Sequence, residues 1–528
     1  DSSDRYVSWT WRKAPRFFDV QTWTGNSASD RAISHNLKSV PGMIVVKRLN
    51  SSEDWGVWHR DVHQNTTKVL YLNKTDALST SSSIFGATNP TSTNFYVGNH
   101  PVSNNNGDTY VAYIFAHNNG DGDFGPNKDQ DVIKCGVFST DSSGNATVDL
   151  GFEPQWLMVK ATNAAAGWEI YDQMRGFGVS GHAYLYAHLG NAEGNNTTAG
   201  TTQPTNTGFS IGNNYWGPGV TLIYMAIRRG PLAEPTDATK VFAIDTASGT
   251  SPSPPQYNSG FPVDMGFYKH RNSADDWYVG SRLTQGKLLK FNSTAAQADD
   301  SALLFDFQNG FNNANWTSTY YVGWMWKRAP SYFDVVTYTG TGSARTVSHN
   351  LGAVPEMMWV KTRTGSTGRW AVYHKDTGNT KYLFLNDTDA AGTFDAWNNT
   401  TPTSSVFSLS SWSTVNDASR TYIAYLFATV AGVSKVGSYD GNGSNQNIDC
   451  GFSSGARFIL IKSATDAGSW FVHDSARGIV AGNDPRLKLD QNQAEMSADY
   501  VDPLSSGFTV NGPGNNDNGQ TYIFYAIA

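Results

Sequence analysis

The chain has 528 residues, of which 16% are charged and 13% are aromatic, and its formal net charge is −7 at pH 7. So many aromatic residues can bury a large apolar core, and the charge is too sparse for an intrinsically disordered chain. The acidic balance argues against nucleic acid as a partner, and no apolar run reaches the roughly 18 residues of a membrane span. A surface made polar by Ser, Thr, Asn and Gly favours loop-rich all-β structure.

Internal repetition is the main feature of the sequence. The segment Tyr6–Val20 returns 315 residues later as Tyr321–Val335, and Thr109–Ala116 returns as Thr421–Ala428. A shorter period of roughly 90–110 residues lies inside this repeat, as in other tandem-repeat chains. Each of its five copies has an apolar strand that ends in Lys, followed by a Trp eight or nine residues later. The five pairs are Lys47/Trp55, Lys160/Trp168, Lys269/Trp277, Lys361/Trp370 and Lys462/Trp470.

The repeats are of three types, which we call a, b and c. Each full repeat shows about seven short runs of period-2 alternation in about 95 residues, a pattern typical of an antiparallel β-sandwich. The predicted fold is all-β, a tandem array of about five jelly-roll-like sandwiches in the order a-b-c-a-b. The predicted segments are 1–16 (last strand of a truncated c-type repeat), 17–117 (a), 118–131 (a Gly/Asp linker), 132–230 (b), 239–328 (c), 332–429 (a) and 434–528 (b).

The alternation at residues 6–12 predicts a strand whose own repeat is missing. A bare, aromatic edge strand invites association. We therefore expect its partner strands in an upstream segment or in another copy of the chain.

The recurring Lys and Trp residues predict a structural core. We expect each Trp to anchor the interior of its own sandwich and each Lys stem to cover apolar surface while its amine stays in water. The short, Pro-containing linkers predict semi-rigid beads in a rod-like array. The two cysteines, Cys135 and Cys450, fall at non-equivalent repeat positions, so we expect no bridge between them.

Two pairs of histidines recur between the a-type repeats. His59 and His374 each precede an acid by two residues, a pairing that could serve acid–base chemistry, but no nucleophile motif accompanies them. His35 and His349 lie in a Ser-His-Asn-Leu turn, where we expect the imidazole to cap backbone groups. Glycoside hydrolysis needs two carboxylates about 5–9 Å apart, and no recurrent pair indicates one. The sequence therefore favours a non-enzymatic protein.

Four aspartates crowd the linker after the first repeat. Asp121, Asp123, Asp129 and Asp131 offer the hard oxygen ligands that Ca²⁺ prefers, although they lack the twelve-residue EF-hand arrangement. Calcium is the one cofactor that the sequence suggests.

Three loop tryptophans do not recur between repeats. Trp216, Trp397 and Trp412 lie among Asn, Ser, Asp and Gly residues. An aromatic face among polar side chains suits stacking on a sugar ring. The sequence therefore predicts a glycan-binding role for these three residues.

The recurrent pattern also resembles a known group of proteins. The motifs at Ser34–Lys47, Trp55–His59, Leu72–Ala77 and Thr109–Ala116 return in the fourth repeat, and they resemble tandem domains of bacteriophage virion proteins such as tail-fibre and tail-tip adhesins. The resemblance implies an extracellular particle protein that contacts other virion proteins and a host-surface glycan. By analogy with fibre proteins it also implies a homo-oligomer, with a trimer as the expected state. The alternatives are a secreted bacterial carbohydrate-binding or surface-layer protein and a polysaccharide-degrading tailspike.

Overall fold

In a computed structural model of the chain, the described residues form two compact modules. These are Asp1–Pro204 with Gly208–Pro231, the N-terminal module, and Thr205–Thr207 with Leu232–Ala528, the C-terminal module. The described residues are 7–63, 68–80, 83–175, 177, 182–196, 202–229, 233–247, 255–284, 286–305, 307–313, 315–316, 318–365, 367–512 and 514–528. Their regular structure is almost entirely antiparallel strand, which confirms the predicted all-β class. None of their helices is long and apolar enough to cross a bilayer.

The N-terminal module contains an a-type and a b-type sandwich. The strands of the first are β1 Phe18–Thr24, β2 Arg31–Ser34, β3 Pro41–Arg48, β4 Gly56–His59, β5 Lys68–Tyr71, β6 Ser79–Thr80, β7 Asn94–Val97 and β8 Thr109–Ala116. Those of the second are β9 Ile133–Ser139, β10 Ala146–Asp149, β11 Pro154–Ala161, β12 Trp168–Asp172, β13 His182–Tyr186, β14 Gly194–Asn196, β15 Thr202–Thr205, β16 Gly208–Ile211 and β17 Thr221–Arg228. Each sandwich pairs a six-stranded sheet with a small one, in the orders β1-β8-β3-β4-β5-β6 and β2-β7, then β14-β13-β12-β11-β17-β9 and β10-β16-β15.

The C-terminal module contains three sandwiches, of types c, a and b. The c-type strands are β18 Phe242–Thr246, β19 Tyr257–Asn258, β20 Met265–His270, β21 Tyr278–Ser281, β22 Lys287–Lys290, β23 Ala298–Asp299, β24 Leu303–Leu304, β25 Gly310–Asn313 and β26 Tyr321–Trp326. The a-type strands are β27 Phe333–Thr339, β28 Arg345–Ser348, β29 Met357–Thr362, β30 Trp370–His374, β31 Lys381–Phe384, β32 Gly392–Thr393, β33 Val406–Leu409 and β34 Thr421–Phe427. The b-type strands are β35 Ser434–Asp440, β36 Gln446–Asp449, β37 Phe458–Ser463, β38 Phe471–Asp474, β39 Asp484–Lys488, β40 Met496–Ala498, β41 Val501–Leu504, β42 Gly507–Val510 and β43 Thr521–Ile527.

The same division into a large and a small sheet holds in all three. The sheet orders are β18-β26-β20-β21-β22-β23 with β19-β25-β24, β27-β34-β29-β30-β31-β32 with β28-β33, and β35-β43-β37-β38-β39-β40 with β36-β42-β41. Short 3₁₀ turns at Gln173–Arg175, Ala238–Lys240 and Arg282–Thr284 and one helical turn, α1 at Ser413–Asn416, are the described helical elements.

The large sheets of the C-terminal module are buried on both faces at their central strands. Every residue of β29 is buried, although successive side chains of a strand point to opposite sides. Met358 and Val360 pack inside the a-type sandwich, whereas Met357 and Trp359 join a different apolar cluster. The small sheet of this sandwich therefore covers only one face of the large sheet, and another part of the protein covers the second face.

Neighbouring sandwiches provide that cover, which corrects the expectation of separate beads. Trp277, Trp370 and Trp470, one from each sandwich of the C-terminal module, belong to a single apolar cluster. Each of the three sandwiches is hydrogen-bonded to the other two. These three indoles are core residues, as predicted, but the prediction that each anchors the interior of its own sandwich is wrong, because they fill a core that the three sandwiches share.

The prediction of a strand at residues 6–12 is wrong for the part that the structure describes. Regular structure begins at Phe18, and residues 7–13 run without strand pairing. The equivalent strand β26 is hydrogen-bonded to β18 on one side and β20 on the other. Because a strand needs such neighbours to satisfy its backbone groups, residues 7–13 cannot form one where these neighbours are missing.

Candidate functional sites

The recurring tryptophans form junctions between sandwiches. Four of the five donate their indole N–H to a backbone carbonyl oxygen of an adjoining sandwich. The pairs are Trp370 to Lys290 (2.8 Å), Trp470 to Phe384 (2.9 Å), Trp277 to Lys488 (2.8 Å) and, in the N-terminal module, Trp168 to Tyr71 (2.8 Å). In the C-terminal module the three bonds run from a to c, from b to a and from c to b, so the three sandwiches close into a ring.

The recurring lysines support the same junctions. Lys160, Lys269, Lys361 and Lys462 are fully buried, so their amines do not lie in water as we expected. Each ammonium donates to a carbonyl of the adjoining sandwich: Lys361 to Thr294 (2.9 Å), Lys462 to Thr388 (3.2 Å), Lys269 to Asn492 (3.4 Å) and Lys160 to Thr75 (3.2 Å). Burial lowers the pKa of each of the four to about 8.

The first Lys/Trp pair differs from the other four. Lys47 and Trp55 are both partly exposed. The ammonium of Lys47 donates to the carbonyl of Glu53 in its own loop, at 2.6 Å, and lies 5.9 Å from the ring centre of Trp55. Among the described residues, none accepts a hydrogen bond from the Trp55 indole. This pair therefore has the same residue types as the other four pairs, but in the described residues it makes no hydrogen bond to another sandwich.

The four histidines that the sequence singled out are structural. His35 and His349 accept the backbone N–H of Leu37 and Leu351 at Nδ1, at 3.2 and 3.3 Å, which confirms the predicted capping. His59 and His374 are fully buried, and burial lowers the pKa of each to about 3. Both are therefore neutral at physiological pH.

The linker aspartates do not converge on a metal. No group of three or more His, Cys, Asp or Glu side chains in the described residues could hold an ion. The carboxylate of Asp131 accepts the backbone N–H of Gly120 and Gly122 and pairs with Lys134 at 3.5 Å, while Asp121 pairs with Arg16 at 3.6 Å. Asp123 and Asp129 are exposed. The calcium hypothesis is corrected accordingly: Asp121 and Asp131 already have partners in the protein, and Asp123 and Asp129 do not join them in one site.

The three loop tryptophans have different surroundings. Trp397 is fully buried and its indole donates to the carbonyl of Lys381 at 2.9 Å, so it cannot stack on a glycan as predicted. Trp412 is partly exposed and its ring centre lies 4.9 Å from that of Phe394, which is 47% exposed. Trp216 is partly exposed beside Tyr215, with ring centres 5.5 Å apart. Trp216 and Trp412 therefore remain predictions for sugar contact.

A buried carboxyl next to Trp216 escaped the sequence analysis. Glu169 accepts hydrogen bonds from the hydroxyls of Tyr215, at 2.8 Å, and Tyr171. Burial raises the pKa of Glu169 to about 7. In the fifth repeat Phe471 stands at the equivalent position, so this acid is particular to the N-terminal module. No motif in the sequence marked it.

The first sandwich also contains a basic groove that sequence reasoning missed. A cavity of about 500 Å³ is lined by Arg16, Lys38, Arg60, His117 and Asp121, among others. These residues follow or precede β1, β3, β4 and β8, whose register brings Pro41 opposite Ala116 and Met43 opposite His59. The chain ends of four strands thus meet at one end of the sheet. A smaller cavity of about 170 Å³ adjoins it, sharing Val40 and Arg60 and lined by Trp58 and Pro90.

Two groups in the wall of this groove, the imidazole of His117 and the hydroxyl of Ser39, can donate hydrogen bonds to a bound molecule. Burial and the nearby Arg60 lower the pKa of His117 to about 4, so its imidazole is neutral. Its Nδ1 accepts the N–H of Cys135 at 3.2 Å, which leaves the proton on Nε2. The hydroxyl of Ser39, also in the wall, is buried without a hydrogen-bond partner in the described part of the chain. A buried, unpaired hydroxyl is costly unless a bound molecule satisfies it.

The equivalent place in the fourth repeat is neutralised. Lys375, at the position of Arg60, pairs with Glu356 at 2.8 Å, and Gly352 and Ser331 stand where the first repeat has Lys38 and Arg16. Glu356 corresponds to Gly42. A Cβ at Gly42 would lie 2.7 Å from the sulfur of Cys135, so the packing of β9 excludes a glutamate there. In the described residues Arg60 keeps a long ion pair with Asp61, at 3.6 Å.

Comparison with known proteins agrees with the duplicated architecture. No curated protein and no solved structure matches the chain. A family model described as a domain of unknown function, DUF7483, matches residues 1–231 and 237–528. The second stretch is the set of c-, a- and b-type sandwiches, and the first carries the a- and b-type sandwiches. The chain therefore belongs to the DUF7483 family, a domain family of unknown function.

Proposed function

We propose that this protein is a non-enzymatic attachment protein of a bacteriophage particle, part of a tail fibre or a similar appendage, and that it binds an acidic host-surface glycan. The observation that carries the ligand assignment is the basic groove of the first sandwich. Arg16, Lys38 and Arg60 supply three positive charges against the one negative charge of Asp121, which pairs with Arg16, and the neutral His117 supplies a further donor. Carboxylate and phosphate groups are the anions that such donors bind best.

The form of the groove suits a sugar chain. The larger cavity is lined mainly by charged and polar side chains, whereas the adjoining one adds Trp58 and Pro90 to Val40, Arg60 and Asn89. Apolar walls beside a few polar groups are typical of small-molecule sites, and an aromatic ring can contact the C–H face of a sugar. An acidic residue of a glycan would occupy the polar cavity and the next sugar the apolar one.

The particle assignment rests on the recurrent motifs that resemble phage virion adhesins. A rigid scaffold that carries binding grooves fits such a role, since many weak contacts add up when copies are presented together. The secreted carbohydrate-binding alternative shares the groove. Immunogold labelling of intact particles separates the two, because only the virion assignment expects label on particles.

A glycan array with the full chain tests the ligand assignment. We expect acidic glycans to bind better than neutral ones, and added salt to weaken the binding. Arg60→Ala should weaken it at least about tenfold, because a charge-assisted hydrogen bond is lost.

The matched control is Lys375→Ala, at the equivalent, neutralised position, which should leave binding unchanged. Equal loss in both variants, or undiminished binding by Arg60→Ala, would remove the groove from consideration. Trp216→Ala, tested on the same array, asks whether the loop aromatic contributes. Release of soluble oligosaccharide from host polysaccharide would instead support the tailspike alternative.

A further inference from the structure

Each module contains a junction between an a-type and a b-type sandwich, and this junction is built in the same way in both modules. Where the b-type sandwich meets the a-type one, the indole–carbonyl bond is 2.8 Å in one module and 2.9 Å in the other, and the lysine–carbonyl bond is 3.2 Å in both. The backbone N–H of Leu78 and of Ala391 crosses this junction at 2.8 and 2.9 Å. The C-terminal module adds a c-type sandwich, which the described residues of the N-terminal module do not contain.

Residues 7–13 nevertheless lie on the b-type sandwich as the last strand of a c-type sandwich does. Trp9 donates its indole N–H to Asp172 at 3.1 Å, as Trp324 donates to Asp474 at 3.1 Å. Arg175 covers the Trp9 ring at 5.3 Å, whereas its counterpart Arg477 covers Trp324 at 5.6 Å.

Trp11 corresponds to Trp326 in the same way. Trp11 meets Trp156 edge-on at 5.8 Å, and Trp326 meets Phe458 edge-on at 5.4 Å. Residues 7–13 therefore occupy the place of β26 although its two partner strands are missing.

The rest of the corresponding surface is uncovered. Trp9, Trp11 and Trp55 are partly exposed, whereas their counterparts Trp324, Trp326 and Trp370 are fully buried. Leu49 is 57% exposed and Leu189 is 47% exposed. Their counterparts in the C-terminal module are Arg363 and Gln491. The backbone carbonyls of both counterparts accept hydrogen bonds from the c-type sandwich. We call this surface, formed by residues 7–13, Lys47–Trp55 and Tyr186–Leu189, the open junction.

We propose that the open junction is the docking site of a c-type sandwich, one whose last strand is formed by residues 7–13 themselves. The occupant is on the same polypeptide, because these residues already lie where the central strand of that sandwich belongs. The incoming sandwich supplies the counterparts of β18 and β20 on either side of them. It also gives the indole of Trp55 an acceptor equivalent to the carbonyl of Lys290 and covers Leu49 and Leu189, so that the N-terminal module becomes a closed ring of three.

A graft tests this proposal. Residues 237–320 are fused directly before Tyr6 in the full chain, which joins a c-type sandwich to its last strand in the natural register. Oxidative footprinting with mass spectrometry then compares Trp55 with Trp370 in the same molecule. In the parent chain we expect Trp55 to react at least about fivefold faster, since protection follows burial and local opening. In the graft the two rates should become equal, while Trp168 should be equally protected in both chains.

Three outcomes would overturn the proposal. A grafted sandwich that is protected from hydrogen exchange while Trp55 stays reactive would show that it folds without docking. Equal reactivity of Trp55 and Trp370 in the parent chain would show that the surface is already covered. If the parent chain also sediments as a dimer under those conditions, a second copy is the occupant. The comparison in the parent chain does not depend on whether the graft folds.

Discussion

Replacing one indole at a closed junction, and its equivalent at the open one, measures what a junction contributes. Trp370 and Trp55 contact their own sandwiches alike: each stacks on a tyrosine, Tyr425 or Tyr113, with ring centres 6.3 Å apart at 17°. They differ across the junction, where Trp370 also contacts Phe291, with ring centres 5.0 Å apart, and donates to the carbonyl of Lys290. The pair therefore isolates the contacts between sandwiches.

The expected effect follows from those contacts. Trp370→Phe removes a hydrogen bond, a loss of about 1 kcal/mol, and leaves a buried carbonyl with a poorer partner. The smaller ring leaves ~40 Å³ unfilled, which costs about 1 kcal/mol more. The free energy of unfolding of the C-terminal module should fall by about 2 kcal/mol, and its melting temperature by about 3 °C, because the unfolding entropy of a module of this size is large. At Trp55 the lost N–H has no protein acceptor, so Trp55→Phe should cost less than about 0.5 kcal/mol.

Differential scanning calorimetry of the full chain gives the transitions, and hydrogen exchange of peptides from each module assigns them. The far-ultraviolet circular dichroism of both variants should match that of the parent chain. Equal shifts in the two variants would refute the argument, because they would show that the indole–carbonyl contact adds nothing to packing within the sandwich.

Two further predictions concern buried titratable groups. Burial lowers the pKa of Lys361 from 10.5 to about 8, so between about pH 8 and 9.5 the unfolded chain holds a proton that the folded chain has released, and stability rises with pH in that window. Lys160, Lys269 and Lys462 share this shift, so Lys361→Met should make the rise less steep without abolishing it in urea midpoints measured at pH 8, 8.5, 9 and 9.5; an unchanged slope would contradict the assignment. Burial also raises the pKa of Cys135 and Cys450, both free thiols, so neither should react with a thiol reagent until the chain unfolds. Labelling of either thiol in the native protein would show that its packing is looser than described.

The repeats were open to prediction because their evidence is local. Period-2 alternation and the return of the same residues 315 positions later are properties of neighbouring residues, and they sufficed for the all-β class. The caps made by His35 and His349 were predictable for the same reason, since the bonded N–H belongs to a residue two positions away.

The candidate site was not predictable in this way. Arg16, Lys38, Arg60 and His117 are spread over about a hundred residues, and only the register of four strands brings them together. Trp397 was predicted as a binding residue but is not one. Its polar neighbours in the sequence indicated an exposed loop, whereas its indole is buried and donates to the carbonyl of Lys381.

Sequence alone shows that this chain repeats one strand-rich unit, and that each unit carries a lysine at the end of a strand and an indole eight or nine residues later. What those two residues do is visible only in the contacts between sandwiches. Alternation shows that a side chain lies on one face of a sheet, but it does not show whether that face is covered by the same sandwich or by the next one. The ring of three sandwiches and the open junction both depend on contacts between residues far apart in sequence, and the alternation within a strand carries no information about them.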